Sequence, residues 1–228
     1  MKTLCVIQHT EAEYLGLMED HLEGRNIRFR YHRPFASGGT LPREVGKFDG
    51  LVLLGGGPYG LVSGHLLPSS LHEITLTRAF LDAGLPVLGF ELGALILAVA
   101  AGGGAAEAPL RFQVGQADAT AAGRALGLPA SFPYAAYLRD SPVLPTAARI
   151  VATDAHGAPL AFRIGANAVG FLSHPGAKRG MIEDLIMEFE DTPPDTAETL
   201  LQLGRVQAGI AETLSALMVG LSEATGLV

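Results

Sequence analysis

Cysteine is nearly absent from this 228-residue chain, which contains only Cys5. A single cysteine excludes an internal disulfide framework and a cysteine-rich metal site. Charge is also scarce, because only 17% of the residues are charged, and 16 basic residues face 23 acidic ones for a net charge of −7. This balance argues against nucleic-acid binding, which needs a basic surface stripe.

We expect neither a targeting segment nor a membrane span. The opening apolar run, residues 3–7, is too short for a signal peptide. The most apolar stretch, residues 85–106, contains Pro86, several glycines and the carboxylate of Glu91, which is costly in lipid. It predicts a buried strand, a tight turn and a buried helix. We therefore expect a cytoplasmic protein with no membrane contact, no cofactor and no bound metal.

Strand and helix patterns alternate along the first half of the chain. Apolar runs and alternating patterns predict strands at 3–8, 26–32, 51–54 and 86–90, and helical spacing predicts helices at 13–22 and 71–83. This order predicts a parallel sheet with helices on both faces. The second half predicts strands at 112–115 and 150–153, a hairpin from 160–164 and 168–172, and a helix at 180–189.

The C-terminal segment has a different pattern. The break at residues 192–195 precedes apolar residues at three- and four-residue steps, which predict one long amphipathic helix or two, capped by Asp195 or Thr196. We predict one domain over residues 1–190 and a helical extension over 191–228. The apolar stripe of the extension either packs back on the domain or forms a homodimer interface.

The stretch Gly89-Phe90-Glu91-Leu92-Gly93 is the most informative for chemistry. Glycines around a polar residue between a strand and a helix are typical of a nucleophile elbow, in which a sharp turn lifts one side chain above the sheet edge. The N–H of Leu92 would be free there to donate to an oxyanion. Two other segments accompany it, a glycine run at 55–57 that could bring N–H groups to a ligand, and Ser173-His174-Pro175-Gly176 after a predicted strand.

These segments, in this order, resemble the class I glutamine amidotransferases. The resemblance covers about residues 3–190 and is carried by VIQH, DGLVLLGGGP, AGLPVLGFELGALILA and FLSHP. It is closest to stand-alone members like the amidotransferase domain of GMP synthase. It implies a flavodoxin-like three-layer α/β sandwich with a mostly parallel central sheet. In that family a Cys–His–Glu triad hydrolyses glutamine, with the motifs G-x-C-x-G-x-Q and H-P-E.

The departures from the family pattern fall on the catalytic positions. Glu91 occupies the cysteine position, Leu95 the glutamine-contacting position and Gly176 that of the triad carboxylate, so that His174 alone survives. The resemblance places the oxyanion hole or ligand contacts at Gly56, Gly57, Leu92 and Leu95. A carboxylate is a poor nucleophile toward an amide, and loss of one triad member costs orders of magnitude in rate. We therefore expect no glutaminase activity.

Two hypotheses remain for Glu91. In the first, Glu91 pairs with His174, accepts the N–H groups of Leu92 and Gly57, and fills the site of a binding or regulatory protein. In the second, Glu91 is a general base that acts with His174 on an unknown carbonyl substrate. A small-molecule ligand is possible under either. The other histidines lack metal-ligand spacing and are expected on the surface or in loops: His9, His21, His32, His65, His72 and His156.

Overall fold

A nine-stranded sheet dominates the computed structural model, which describes residues 1–226. Its parallel half contains β1 (Thr3–Ile7), β2 (Arg28–His32), β3 (Gly50–Leu53), β6 (Val87–Phe90) and β13 (Ala168–Phe171). Its antiparallel half contains β8 (Arg111–Ala119), β9 (Ser131–Leu138), β11 (Arg149–Asp154) and β12 (Pro159–Ile164). The strand order is β2-β1-β3-β6-β13-β12-β11-β8-β9.

Helices and two small ribbons complete the fold. The helices are α1 (Met18–Gly24), α2 (Ser70–Asp82), α3 (Leu92–Ala100), α4 (Ala121–Arg124), α5 (Arg179–Glu188) and α6 (Thr196–Thr225). The ribbons pair β4 (Tyr59–Gly60) with β5 (His65–Leu66), and β7 (Gly104–Ala106) with β10 (Ser141–Val143). The large central sheet with flanking helices is the predicted architecture, with four parallel and four antiparallel strand pairings. Within residues 1–226 no helix is both long and apolar enough to cross a membrane.

The parallel half carries the deepest part of the core. Every residue of β3, β6 and β13 is buried, as expected for strands covered on both faces. The apolar helix α3 packs on β6 and β13, and eight of its nine residues are buried. The predicted hairpin of β12 and β13 is present, with Ala161 opposite Phe171.

Helix α6 is continuous and packs on this chain's own sheet, against β8 and β9. Its buried stripe includes Leu203, Ile210, Leu214 and Leu221, and a homodimer through this helix stays a prediction. The predicted side-chain cap is wrong: Asp195 has φ 58° and caps no N–H, and the hydroxyl of Thr196 donates to the carbonyl of Pro193. The division into two segments stays a prediction.

Candidate functional site

Glu91 lies at a sharp turn between β6 and α3, with φ 51° and ψ −112°. Glycine is needed on both sides, because a methyl group at Gly89 would come within 2.5 Å of the carbonyl oxygen of Gly93. A methyl group at Gly93 would overlap with the backbone of Leu53. The N–H of Glu91 donates to the carbonyl of Phe171 at 2.7 Å, which ties the turn to β13. The local geometry is thus the predicted elbow, with a carboxylate at its apex.

The carboxylate of Glu91 is enclosed by protein groups. Its Oε1 accepts a 2.7 Å hydrogen bond from the N–H of Tyr137 on β9. Its other partner is the side chain of Glu13, with which it shares a hydrogen bond above Gly55. Burial raises the pKa of Glu91 to about 7, although the bonds from Glu13 and Tyr137 lower it. The elbow therefore holds a carboxyl that is only partly ionised near neutral pH.

Glu13 supplies the second half of this carboxyl pair. It lies in the loop between β1 and α1, and its Oε2 accepts the N–H of Gly57. Burial, followed by the charge and hydrogen bond of Glu91, raises the pKa of Glu13 well above its usual range. Two carboxyls in contact cannot both ionise cheaply. We therefore assign the shared proton to Glu13, which donates to Glu91.

His174 forms its hydrogen bonds with backbone groups and not with this pair. Its Nε2 donates to the carbonyl of Tyr14 at 2.9 Å, and its Nδ1 accepts the N–H of Gly176 at 3.1 Å. Burial lowers the pKa of His174 to about 4. The imidazole is therefore neutral near pH 7, and backbone groups occupy both of its nitrogens.

The predicted contacts of Glu91 are wrong in their partners. Glu91 forms no ion pair with His174, and the N–H of Gly57 donates to Glu13 rather than to Glu91. Glu91 instead accepts from Tyr137, and it is not bonded to the N–H of Leu92. The physical reason is that Glu13 occupies the space above Gly55, where it satisfies the glycine loop and shares its proton with Glu91.

The other candidate residues lie around the elbow in close contact. Gly56 packs on the side chain of Leu92, where a methyl group at position 56 would overlap with it. Leu95 is fully buried in α3. Gly176 packs against the loop after β1, and a methyl group there would lie 2.6 Å from the carbonyl oxygen of Leu15. The position matching the triad carboxylate thus has no space for a side chain.

A second buried pair supports the glycine loop from the other side. His9 lies in the loop after β1, which is one of its two predicted places, but it is fully buried. Its Nε2 is 2.7 Å from Glu73 and its Nδ1 is 2.8 Å from the carbonyl oxygen of Gly55. Burial alone would lower the pKa of His9, but Glu73 and the carbonyl of Gly55 raise it. Burial alone would raise the pKa of Glu73, but the charge and the hydrogen bond of His9 outweigh burial and lower it. These two residues form a buried ion pair.

The mouth of the site is covered by the end of α5. Leu185 and Phe189 lie over Gly57, and the ring of Phe189 meets that of Tyr59 edge to face at 5.7 Å. Arg139 ties this segment down by pairing with Asp191 while donating to the carbonyl of Pro58. The exposed fractions of Glu13, Glu91 and His174 are accordingly 1%, 2% and 3%.

The space beside His174 is equally restricted. The hollow between His174, β9 and α6 has a volume of about 20 Å³, which is room for about one water molecule. Within residues 1–226, no group of three or more His, Cys, Asp or Glu side chains is arranged to hold a metal ion.

This elbow, glycine loop and sheet order together define the class I glutamine amidotransferase-like fold. Among solved structures, the chain is similar to a glutamine amidotransferase from Methylobacillus flagellatus, with TM-score 0.83 and 21% identity over 99% of this chain and 96% of that one. It is also similar to a glutamine amidotransferase from Thermotoga maritima, with TM-score 0.81 and 24% identity over 97% and 98%. Both matches therefore include α6. No protein-family model matches the sequence, and no curated protein is significantly similar to it.

Sequence reasoning missed Glu13, His9 and Glu73. Glu13 and His9 follow β1 at the carboxyl edge of the sheet, where open α/β folds place functional groups. Their position after a predicted strand is the signal that could have identified them. No local pattern indicates Glu73, because it meets His9 across 64 positions of sequence.

Proposed function

We propose that this protein does not hydrolyse glutamine and acts as a binding or regulatory protein built on the amidotransferase-like fold. The observation that carries the proposal is the buried carboxyl pair of Glu91 and Glu13 at the elbow. A nucleophilic thiolate is replaced by a carboxylate that would have to form an anhydride from an amide, a reaction with a poor leaving group.

The electrostatics of the elbow support this proposal. An oxyanion hole works by offering unoccupied N–H donors to a developing negative charge. Here Glu13 already accepts the N–H of Gly57, so one of the two expected donors, Gly57 and Leu92, is occupied. A negative carboxylate at this place would also repel the oxyanion of a tetrahedral intermediate.

The state of His174 also supports the absence of glutamine hydrolysis. A general base needs a free nitrogen and a pKa near the working pH. His174 has both nitrogens bonded to backbone groups and a pKa of about 4. Since Gly176 carries no carboxylate to orient it, the histidine serves to join the segment after β13 to Tyr14.

The contact between the carboxyl groups of Glu91 and Glu13 favours the second hypothesis. The pKa of Glu91, about 7, suits a general base or acid at neutral pH, and its contact with Glu13 resembles the carboxyl pairs that share a proton in acid–base enzymes. In that case the partner of Glu91 would be Glu13 rather than His174. The enclosure by Leu185 and Phe189 would then have to open to admit a substrate.

The decisive experiment measures ammonia release from L-glutamine. The unmodified protein, Glu91→Cys and the matched control Glu91→Gln are assayed side by side. We expect no release from any of them, since Glu91→Cys still lacks a triad carboxylate and Glu13 still occupies the N–H of Gly57. Glutamine turnover by the unmodified protein that Glu91→Gln abolishes would overturn the proposal.

The same variants separate the two hypotheses. Hydrolysis of any ester or amide in a screen, lost in both Glu91→Gln and Glu13→Gln and rising with pH through about 7, would establish the carboxyl pair as acid–base catalyst. Release of ammonia by Glu91→Cys alone would show that Glu91 is the only barrier to glutamine hydrolysis.

Location in the cytoplasm and a homodimer through α6 stay predictions.

A further inference from the structure

Strand β8 extends beyond the end of its neighbour β11 in the sheet. Residues 117–119 of β8 pair with β11, which ends at Asp154 in a turn toward β12. Residues 111–116 pair with β9 on one side and, within residues 1–226, with no strand on the other. The middle of the sheet therefore contains an open strand edge next to the β11–β12 turn.

The register shows which backbone groups face this open edge. The N–H of Ala119 donates to the carbonyl of Ala130 just before β9, whereas the N–H of Thr120 donates to Val151 of β11. The N–H and C=O of one residue in an antiparallel strand point to the same side, and successive residues alternate. The even-numbered residues of β8 therefore face away from β9. No hydrogen bond within residues 1–226 involves the backbone groups of three of them: Phe112, Val114 and Gln116.

Two cavities adjoin the open edge from opposite faces of the sheet. The first, of about 340 Å³, lies on the face of Tyr134 and Ala136. Its wall is largely apolar: Pro142, Leu144, Pro159, Leu160 and Leu172. The second, of about 360 Å³, lies on the face on which α6 packs. Its wall is largely polar: Gln116, His156, Thr199 and Gln202.

The two cavities meet at the open edge, since Gln113 and Tyr134 line both of them. A strand added there would direct its side chains alternately into the two cavities, because successive residues of a strand point to opposite faces. The backbone groups of β8 would supply main-chain hydrogen bonds, as in complexes in which a peptide extends a sheet. The site therefore fits an extended peptide in which apolar and small polar side chains alternate.

Opposite charges lie near the two ends of the open edge. Asp154 lies opposite Ala117, and Arg111 is six residues away at the start of β8, a distance of about 20 Å along the strand. The hydrogen bonds of the Asp154 carboxylate within residues 1–226 use only Oδ1, which accepts two backbone N–H groups. The guanidinium of Arg111 is held at the other end by the carbonyl of Asp140, at 2.9 Å from one Nη.

The direction of β11 gives these charges a meaning. A strand that continues β11 antiparallel to β8 runs from Asp154 toward Arg111. Its amino end then lies beside the carboxylate and its carboxyl end beside the guanidinium. This order is complementary to the ammonium and carboxylate groups of a free peptide. At about 3.4 Å per residue, four or five residues span the distance between the two charges.

We propose that the open edge of β8 binds a short free peptide of four or five residues, extended and antiparallel to β8. The ammonium group of the peptide pairs with Asp154 and its carboxylate with Arg111. Its main chain bonds to Val114 and the residues on either side of it, and its apolar side chains enter the first cavity. The elbow residues Glu13, Glu91 and His174 line neither cavity, so this proposal and the absence of glutamine hydrolysis can fail independently.

The first test titrates the pentapeptide Thr-Leu-Thr-Leu-Thr calorimetrically into the full-length protein, together with peptides that carry Ile, Val, Met or Phe in place of Leu. N-acetylation and C-amidation each remove one charge and should weaken binding by about tenfold or more. N-methylation of the third residue, which lies opposite Val114, should weaken binding to a similar extent because it removes a main-chain donor. N-methylation of the second residue, whose N–H points away from β8, is the matched control and should have little effect.

Variants locate the two ends of the peptide. Asp154→Asn should weaken binding of the free peptide by about tenfold but leave that of the N-acetylated peptide unchanged, and Arg111→Gln should do the same with the C-amidated peptide. The matched controls Arg149→Gln and Asp118→Asn, on exposed residues of the same sheet, should bind like the unmodified protein. Thermal melting confirms that each variant is folded.

Amide hydrogen exchange tests the open edge itself. In the free protein the N–H groups of Val114 and Gln116 should exchange faster than those of Gln113 and Gly115, which pair with β9. Saturation with the peptide should slow the first two by about tenfold or more. The proposal is overturned if no peptide of the panel binds at up to about 10 mM, if the blocked or the two N-methylated peptides bind equally well, if the pocket variants bind like the controls, or if Val114 and Gln116 are already protected in the free protein.

Discussion

Two buried pairs of titratable side chains flank Gly55, and they have opposite electrostatic designs. On one side His9 and Glu73 form a pair of opposite charges that also holds the carbonyl of Gly55. On the other, Glu13 and Glu91 are two acids that share one proton. Both pairs position the glycine loop, but only the second occupies the place of a catalytic centre.

The two pairs differ in how their contribution to stability depends on pH. An opposite-charge pair is most favourable when both members are ionised, so it persists over the neutral pH range. A carboxyl pair is most favourable when it retains a proton, so it weakens as pH rises. The stabilisation by the carboxyl pair at the elbow therefore depends on pH near neutrality, whereas that by the His9–Glu73 pair does not.

The largest effect is expected from breaking the opposite-charge pair. Glu73→Ala leaves the buried imidazolium of His9 without its partner, which costs about 3–5 kcal/mol of unfolding free energy. Chemical denaturation measures this loss. The exposed Glu107→Ala is the control and should change stability by no more than about 0.5 kcal/mol. A loss for Glu73→Ala as small as that would mean that the ion pair contributes nothing to the support of Gly55.

The next effect comes from removing the ionisable group at the elbow. The folded-state pKa of Glu91, about 7, lies above the ordinary 4.5, so its contribution is fully present below pH 4.5 and is lost as pH rises through 7. Glutamine cannot ionise, and its amide oxygen can still accept from Tyr137. Glu91→Gln should therefore be more stable than the unmodified protein at pH 8, by on the order of 3 kcal/mol.

This advantage should shrink toward zero near pH 4, and denaturation curves at several pH values measure it. The exposed Glu107→Gln is the matched control and should show no such trend. If the difference between Glu91→Gln and the unmodified protein did not change with pH, the carboxyl of Glu91 would be an ordinary ionised one.

The response of His174 is confined to acid pH. Its folded-state pKa of about 4 lies below the usual 6.5, so this histidine costs stability only as pH falls from 6.5 toward 4. In a histidine NMR titration its ring signals should stay constant from pH 8 down to about pH 5, while His9 retains its proton to higher pH than an exposed histidine does. A midpoint of His174 near 6.5 would show that its ring is free to exchange protons with a ligand.

The fold was predictable from sequence because its signals are local. Runs of apolar residues identified β3, β6 and β13, and Gly89 with Gly93 identified the sharp turn between β6 and α3. The helix predicted from residue 13 begins only at Met18, because Gly16 has φ 63° and the N–H of Leu17 donates to the carbonyl of Gly176. A tertiary hydrogen bond of this kind leaves no mark in the local pattern.

The site was predictable only in part, because its partners lie far apart in sequence. Glu91 stands out at the elbow, but its partner Glu13 belongs to a stretch that resembles a helix start, and the Tyr137 N–H that it accepts is 46 positions away. The sequence motifs suggested His174 as the positively charged partner of Glu91. Burial reverses that expectation, since it makes the histidine neutral and lets a second acid stabilise the first by sharing a proton.

The most direct measurement is a pH titration of the side-chain carboxyl carbons by 13C NMR, with Glu91→Gln and Glu13→Gln used to assign the two signals. We predict that Glu91 titrates near pH 7 while Glu13 remains protonated there, and that Glu91→Gln removes that step. Two carboxyls that both titrate near pH 4.5, as exposed glutamates do, would contradict the shared proton and with it the closed elbow.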